Sequence, residues 1–159
     1  MIPDDVTFSS ETARRVKAHL AAEKAVISSG TSGMNPEKTQ LVLEKEWGIK
    51  FERECDIDPA YFAVGKSFNK GLPDMPLSLY SSGIKMEASP GTSSEAYLIK
   101  PYYNRHWDGE HAFFYNPPDQ VTDIPALTVC GKVAHFSHRI FPDITCRHQL
   151  NCASCLPMC

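Results

Sequence analysis

The segment from residue 97 to residue 141 constrains the fold most, because it orders several elements along a short stretch of chain. It reads YLIKPYYNRHWDGEHAFFYNPPDQVTDIPALTVCGKVAHFSHRIF. Residues 95–103 have the composition of a long strand, and a polar loop rich in aromatic residues follows them. Residues 126–129 and 132–137 flank a tight turn at Cys130-Gly131, a pattern typical of a hairpin. Antiparallel strands are therefore predicted late in the chain.

The start of the chain predicts one helix followed by one strand. Ser10 followed by Glu11 is typical of a capped helix start, and apolar residues then recur on one face until about residue 23. Residues 25–27 form a short apolar run that predicts a buried strand. A helix leading directly into a strand is half of a βαβ unit, and the strand before it would precede Met1. We therefore expect a domain that lacks its first strand or strands.

A second helix is predicted from Asn35 to Trp47. Asn35-Pro36-Glu37 supplies, in order, a capping side chain, a proline at the first helical position and an acid in the first turn. Gly48 fits the left-handed position after the helix, and the next strand is predicted from residue 49 to residue 52.

The order of these elements predicts an α/β fold with three layers. Residues 76–80 and 84–87 indicate short strands between turns. Helices early and antiparallel strands late favour a mixed sheet that is parallel at one side. A length of 159 residues suits one core. We predict a single domain over residues 1–150, incomplete at its N-terminus, followed by a cysteine-rich tail over residues 151–159.

Composition argues against several classes of partner. The net charge is -3, and Lys and Arg are scattered among Asp and Glu, so no basic stripe for nucleic acid or an anionic membrane is present. The chain does not open with a basic segment followed by an apolar run, and it contains no stretch of ~18 apolar residues. A cytoplasmic protein without nucleic-acid or membrane partners is therefore expected.

The motifs of the second half carry a family resemblance. In order they are a strand, Lys-Pro-Tyr-Tyr-Asn-Arg, a histidine-containing aromatic loop, Pro-Ala-Leu, Gly-Lys-Val-Ala-His-Phe-Ser-His and Ile-Phe. This order resembles the accessory domain that follows the catalytic barrel in a group of glycoside hydrolases. That domain is similar to the β-galactosidase trimerisation domain, a relative of class I glutamine amidotransferases.

The resemblance covers most of residues 1–150 and implies both a fold and a role. The fold is a flavodoxin-like or amidotransferase-like α/β domain. The role is that of a non-catalytic accessory or oligomerisation domain of an enzyme of carbohydrate metabolism. The implied partners are further copies of the chain, an upstream catalytic barrel and a carbohydrate, and no cofactor is implied.

The loop of residues 28–33, Ser-Ser-Gly-Thr-Ser-Gly, stands where an active amidotransferase would hold its cysteine nucleophile. No cysteine is present there. A serine would need an adjacent base, and the sequence alone places no histidine beside it. A tight turn without glutaminase chemistry is predicted, and no catalytic residue is assigned. A hydrolase acting through Ser28, Ser29 or Asp108 is the least favoured alternative.

The loop of residues 104–111 holds the densest set of polar side chains. Its two histidines match no common zinc spacing, and its carboxylates Asp108 and Glu110 are near neighbours, whereas a glycosidase pair must face each other across a sugar. The alternative is a loop that packs its aromatic residues against a sheet edge or another subunit. The residues predicted to make a subunit or sugar contact are Tyr103, Asn104, Arg105, His106, Trp107 and His111.

Two further groups are candidates for metal ligands. His135 and His138 lie on opposite faces of a regular strand, so each is predicted to be a hydrogen-bonded structural residue. Four thiolates near the C-terminus have the number needed for a zinc or iron-sulfur site. A small metal-binding or redox protein is therefore the alternative function, although a replaced, unrelated tail explains the same cysteines. The candidate ligands are Cys146, Cys152, Cys155 and Cys159.

Overall fold

A strand-rich mixed sheet dominates the computed structural model, which describes residues 1–65, 68, 70–105 and 116–140. Two helices and eight strands occur in this part of the chain. They are α1 (Ser10–Ala21), β1 (Val26–Ser29), α2 (Glu44–Trp47), β2 (Ile49–Glu54), β3 (Ala60–Val64), β4 (Leu77–Leu79), β5 (Ile84–Ala88), β6 (Ser93–Pro101), β7 (Pro118–Cys130) and β8 (Val133–Phe136).

Six strands form one sheet in the order β1-β8-β7-β6-β3-β4, and β2 pairs with β5 in a separate two-stranded sheet. Only the β1–β8 pair is parallel among the described strands. The predicted mixed sheet, parallel at one side, is therefore confirmed. The predicted three-layer, flavodoxin-like arrangement needs correction, because only 13% of the described structure is helical and the sheet is curled.

The first helix begins at Ser10, and its cap lies one residue earlier than predicted. The hydroxyl of Ser9 accepts a hydrogen bond from the backbone N–H of Thr12 at 3.2 Å, so Ser9 is the cap. Ala13 is buried, and Val16 and Leu20 pack beside it against the core, as the helical spacing of these residues predicts. The helix therefore presents the expected face.

The predicted helix from Asn35 to Trp47 is wrong over most of its length. The side-chain oxygen of Asn35 accepts hydrogen bonds from the backbone N–H groups of Thr39 (2.8 Å) and Gln40 (3.2 Å), which closes a loop. This loop brings Met34 opposite Leu41, and both side chains are buried. An asparagine that bonds to nearby backbone can close a turn as well as start a helix, and here burial of the two apolar residues favours the turn.

The predicted hairpin is confirmed. Leu127 pairs with Phe136 and Cys130 pairs with Val133, and Gly131 takes a positive φ of 55° in the turn. The prediction of a left-handed Gly48 also holds, with φ 64°. Strand β7 begins at Pro118, well before the predicted start at residue 126. Its first half is exposed and contains proline, so it lacks the alternating pattern that marks a strand.

Two groups of buried side chains stabilise the described part of the chain. One contains Phe62 and Phe136, whose rings meet edge to face with centroids 5.9 Å apart. The other contains Phe8 and Trp47 in the same arrangement at 5.8 Å. Strands β1 and β8 contribute to both groups through residues such as Val26, Val133 and Ala134. The parallel pair is therefore buried on both faces, as parallel strands usually are.

Candidate functional site

Polar residues gather beyond one set of strand ends in the six-stranded sheet. Strands β1 and β8 are parallel, and β6 runs in the same direction because β7 is antiparallel to both β8 and β6. Their carboxyl ends therefore meet at the same side. We call this side the carboxyl edge and define it by residues 3–5, 28–33, 56–58, 80–83, 102–105 and 137–139. Ligands of open α/β sheets commonly bind beyond the carboxyl ends of the strands.

Ser28 and His135 form a buried pair at this edge. The hydroxyl oxygen of Ser28 lies 2.8 Å from Nδ1 of His135 and accepts a hydrogen bond from Nε1 of Trp47 at 2.9 Å. Both residues are 1% exposed. The indole N–H leaves the Ser28 proton free to be donated to Nδ1. The structure thus supplies the histidine that the sequence did not place beside this serine, because Ser28 and His135 meet only through the β1–β8 pairing.

The imidazole of His135 is held neutral. Burial lowers the pKa of His135 to about 3, while the backbone of Gly30 acts weakly in the opposite direction. Among the described residues its Nε2 atom has no hydrogen-bond partner. A serine and a histidine at hydrogen-bond distance resemble a nucleophile and its base, but neither side chain reaches solvent. The arrangement therefore acts as a packed polar core.

The other hydroxyls of the 28–33 loop bind the N-terminal segment. Ser29 donates a hydrogen bond to the carboxylate of Asp4, Thr31 donates to Asp5 at 2.5 Å, and Ser32 donates to the backbone carbonyl of Pro3 at 2.5 Å. Positive φ angles at Gly30 (58°) and Gly33 (91°) bend the loop. The predicted tight turn is confirmed, and its hydroxyls are engaged inside the protein.

Arg139 joins the two halves of the carboxyl edge. Its guanidinium forms an ion pair with Asp5 at 2.9 Å. Its backbone carbonyl accepts a hydrogen bond from the hydroxyl of Ser81 at 2.7 Å, and its N–H donates to the carbonyl of Ser82 at 3.4 Å. Arg139 also lies across Gly30, where an added Cβ would stand 3.1 Å from its Cγ. The edge is therefore continuous from the N-terminal segment to the 80–83 loop.

His138 fills the space beside Gly83. A Cβ on Gly83 would lie 2.5 Å from the imidazole ring, so only glycine fits at this position. Nδ1 of His138 lies 2.8 Å from the hydroxyl of Ser137, and burial lowers the pKa of His138 to about 4. The prediction that His135 and His138 are hydrogen-bonded structural residues is confirmed by their serine partners.

Two predicted contact residues bind the 56–58 loop. The guanidinium of Arg105 forms an ion pair with Asp58 at 2.5 Å, which raises the pKa of Arg105, and its Cζ atom stands 5.3 Å from the ring centroid of Tyr80. The side chain of Asn104 donates to the carbonyl of Asp56 at 2.8 Å and accepts from the N–H of Asp58 at 3.2 Å. Both side chains therefore attach the 56–58 loop to the end of β6.

Exposed aromatic rings surround this attachment. Tyr80 is 50% exposed, Tyr102 is 73% exposed and Tyr103 is 39% exposed. The backbone of Tyr103 is held by the side-chain amide of Asn116, which bonds to both its N–H and its carbonyl. Three tyrosines and a guanidinium therefore present an exposed, partly apolar surface at the carboxyl edge.

Several residues singled out from the sequence lie outside the described residues. His106, Trp107, Asp108, Glu110 and His111 belong to this group. So do the tail of residues 151–159 and the four candidate cysteine ligands, Cys146, Cys152, Cys155 and Cys159. Within the described ranges, no cluster of three or more His, Cys, Asp or Glu residues could hold a metal ion. No helix in that part of the chain combines the length and hydropathy needed to cross a membrane.

Comparison with known proteins finds similarity among solved structures. No protein-family model matches this chain, and no curated protein sequence matches it. The α-L-fucosidase isoenzyme 2 of Paenibacillus thiaminolyticus matches with a TM-score of 0.79 at 21% identity, over 97% of this chain and 23% of the fucosidase chain. The β-galactosidase of Bacillus circulans sp. alkalophilus matches with a TM-score of 0.58 at 14% identity, over 96% of this chain and 21% of the galactosidase chain.

These matches are likenesses of fold. The chain spans less than a quarter of the length of either solved structure. Both neighbours are glycoside hydrolases, so the resemblance to a domain of such enzymes is confirmed at the level of the fold.

Proposed function

We propose that this chain is a non-catalytic accessory domain of a glycoside hydrolase that acts in carbohydrate metabolism. The observation that carries the proposal is the match of 97% of the chain to 23% of an α-L-fucosidase chain. A fold that is one part of a longer enzyme suits a supporting domain beside a catalytic barrel. The parallel β1–β8 pair, with α1 leading into β1, is also what a reduced amidotransferase-like or trimerisation-like α/β domain would keep.

The closed polar core supports a role without catalysis. Ser28, in the loop where a nucleophile would be expected, hydrogen-bonds to His135, and both side chains are buried. The hydroxyl groups of Ser29, Thr31 and Ser32 donate hydrogen bonds to the N-terminal segment of residues 3–5. A nucleophile must reach its substrate, and within the described residues this loop offers no exposed hydroxyl beside a base.

Hydrolysis assays test this part of the proposal. The purified chain is incubated with 4-nitrophenyl α-L-fucopyranoside and with 4-nitrophenyl β-D-galactopyranoside, and release of nitrophenol is followed. We expect no release above the buffer rate. Release that is lost in Ser28→Ala and kept in Ser82→Ala, where Ser82 is an exposed serine of the same edge, would overturn the non-catalytic role.

We propose in addition that the aromatic part of the carboxyl edge is a contact between copies of the chain. Tyrosine and arginine are the residue types that most often contribute binding energy at protein interfaces. Tyr80, Tyr102 and Tyr103 are exposed there, and Arg105 is held against Tyr80 and Asp58, so little side-chain freedom is lost when a partner binds. An upstream catalytic barrel is proposed as the second partner of the domain.

Sedimentation analysis over a range of concentrations tests the subunit contact. We expect the chain to self-associate and the double variant Tyr80→Ser/Tyr102→Ser to shift toward monomer. Tyr97→Ser is the matched control, because Tyr97 is a comparably exposed tyrosine that does not belong to the carboxyl edge. A chain that stays monomeric at every concentration, or equal effects of the edge and control variants, would contradict this contact.

A further inference from the structure

An open groove lies between the two sheets and shares no lining residue with the carboxyl edge. Its volume is about 510 Å³, within the range of pockets that hold small ligands. Its apolar lining residues include Tyr97 and Pro125 of the large sheet and Met86 of the small one. Its polar lining residues include Ser94, Glu87 and Asp123. The groove therefore combines an exposed tyrosine with oxygen atoms that can accept or donate hydrogen bonds.

Irregular strand pairing places the key side chains of the groove. The register between β6 and β7 shifts on both sides of Tyr97, and Tyr97 remains 41% exposed. On the opposite wall, the register between β2 and β5 shifts between Phe51 and Arg53, where Glu52 lines the groove. Bulges of this kind re-aim side chains and occur frequently beside binding sites. Two irregular pairings thus occur at Tyr97 and Glu52, and both residues line the groove.

Three carboxylates, those of Glu52, Glu87 and Asp123, are the charged groups among the described residues that line the groove. Glu52 is paired with Arg53 at 3.7 Å, and Glu87 lies directly across the β2–β5 pair from Lys50. Asp123 is the lining carboxylate without an ion pair among the described residues. Basic residues are thus neighbours of two of the three carboxylates, and Arg53 also pairs with Asp56 at 3.0 Å. A carboxylate oxygen accepts hydrogen bonds from the hydroxyl groups of a ligand.

We infer that this groove is a binding site for a neutral saccharide. A pyranose ring has an apolar C–H face that packs on an aromatic ring, and its hydroxyl groups project from its rim. Tyr97 supplies the ring, and Asp123, Glu87 and Ser94 supply the hydrogen-bonding atoms. The inference rests on the proposed function as a carbohydrate-associated domain, and it assigns the sugar contact to this groove rather than to the 103–111 segment.

Titration followed by NMR tests the inference with the whole chain. ¹⁵N-labelled protein is titrated with lactose, cellobiose and xylobiose, and backbone amide shifts are followed. We expect saturable shifts at residues of the groove for at least one disaccharide. Tyr97→Ala and Asp123→Asn should each weaken that binding about tenfold. Met75→Ala, at an exposed apolar position outside both the groove and the carboxyl edge, should leave the affinity unchanged, and the dispersed spectrum of each variant verifies its fold.

Several outcomes would overturn the site. They are no saturable shift with any disaccharide, binding that Tyr97→Ala and Asp123→Asn leave intact, or saturation of the same amides by CaCl₂ or by tetralysine in place of the sugars. None of these results bears on the hydrolysis assay. Failure of the saccharide site is therefore distinguishable from failure of the non-catalytic accessory role.

Discussion

Ser28 is the residue on which the buried polar network depends. Its single hydroxyl hydrogen-bonds to the indole of Trp47 on α2 and to the imidazole of His135 on β8, and both partners are 1% exposed. A buried polar group that loses its partner keeps its desolvation cost without the compensating hydrogen bond. The serine that stands where a nucleophile would be expected therefore contributes to stability.

We predict that Ser28→Ala lowers the free energy of unfolding by about 2–4 kcal/mol, because two buried groups lose their partner. Urea denaturation followed by tryptophan fluorescence measures the change. Ser82→Ala is the control, since Ser82 is exposed and its loss is expected to cost less than about 0.5 kcal/mol. Equal stability of the Ser28→Ala variant and the parent chain would show that the network is not needed.

Gly83 is required by the size of its neighbour. In Gly83→Ala the new methyl group would meet the buried ring of His138, so we expect a loss of about 1–3 kcal/mol in the free energy of unfolding. The double variant Gly83→Ala/His138→Ala should lose less than the sum of the two single changes, because the smaller side chain relieves the clash. Strict additivity in this cycle would argue against the contact.

Among the secondary-structure elements, the 34–41 loop shows that packing decides whether the same residues form a helix or a turn. Asn35 has the side chain of a helix cap, yet its oxygen accepts from Thr39 and Gln40 and closes a turn. The turn pairs Met34 with Leu41 inside the core. A helix over the same residues would forgo this pairing, so tertiary burial outweighs local propensity.

We predict that Asn35→Ala costs about 1 kcal/mol of unfolding free energy and leaves the helical signal in far-ultraviolet circular dichroism unchanged. The reason is that the side chain stabilises a loop and no helix follows it. Glu37→Ala, at an exposed position of the same loop, is the control. A marked loss of helical signal in Asn35→Ala would instead support a helix beginning at this residue.

At the scale of the whole molecule, stability is tied to pH through two buried imidazoles. Burial lowers the pKa of His135 to about 3 and that of His138 to about 4, below the ordinary value of 6.5. Between these pKa values and pH ~6.5, the two imidazoles therefore bind protons in the unfolded chain and stay neutral in the folded chain. Their contribution is fully present above pH ~6.5 and is lost as the pH falls toward the folded pKa values.

We predict that the free energy of unfolding decreases below pH ~6.5 by about 1 kcal/mol per pH unit for each histidine. Urea denaturation between pH ~7.5 and pH ~5 measures the slope. The contact with Lys85 lowers the pKa of Asp56 to about 2. The contribution of Asp56 to stability is therefore lost only below pH ~4, outside this range. Imidazole proton resonances of His135 and His138 that titrate near pH ~6.5 would contradict the prediction.

The sequence predicted those parts of the fold whose signals are local. The β7–β8 hairpin follows from apolar runs around Cys130-Gly131, and the left-handed Gly48 follows from its place after Trp47. The first half of β7 and the whole of β3 were missed, because neither has a complete alternating pattern and both are defined by pairing with β6. Strand pairing over long sequence distances leaves little trace in a single segment.

Interactions between neighbours along the chain were enough to predict the helix α1, the hairpin and the turn of the 28–33 loop. The contact of Ser28 with His135, the link from Asp5 through Arg139 to the 80–83 loop, and the groove lined by Tyr97, Glu87 and Asp123 depend on the tertiary structure. Hydrogen bonds within a turn need only adjacent residues, whereas these contacts need the sheet to bring distant segments together. The residues that carry the proposed functions are therefore visible in the sequence, and their grouping is a property of the fold.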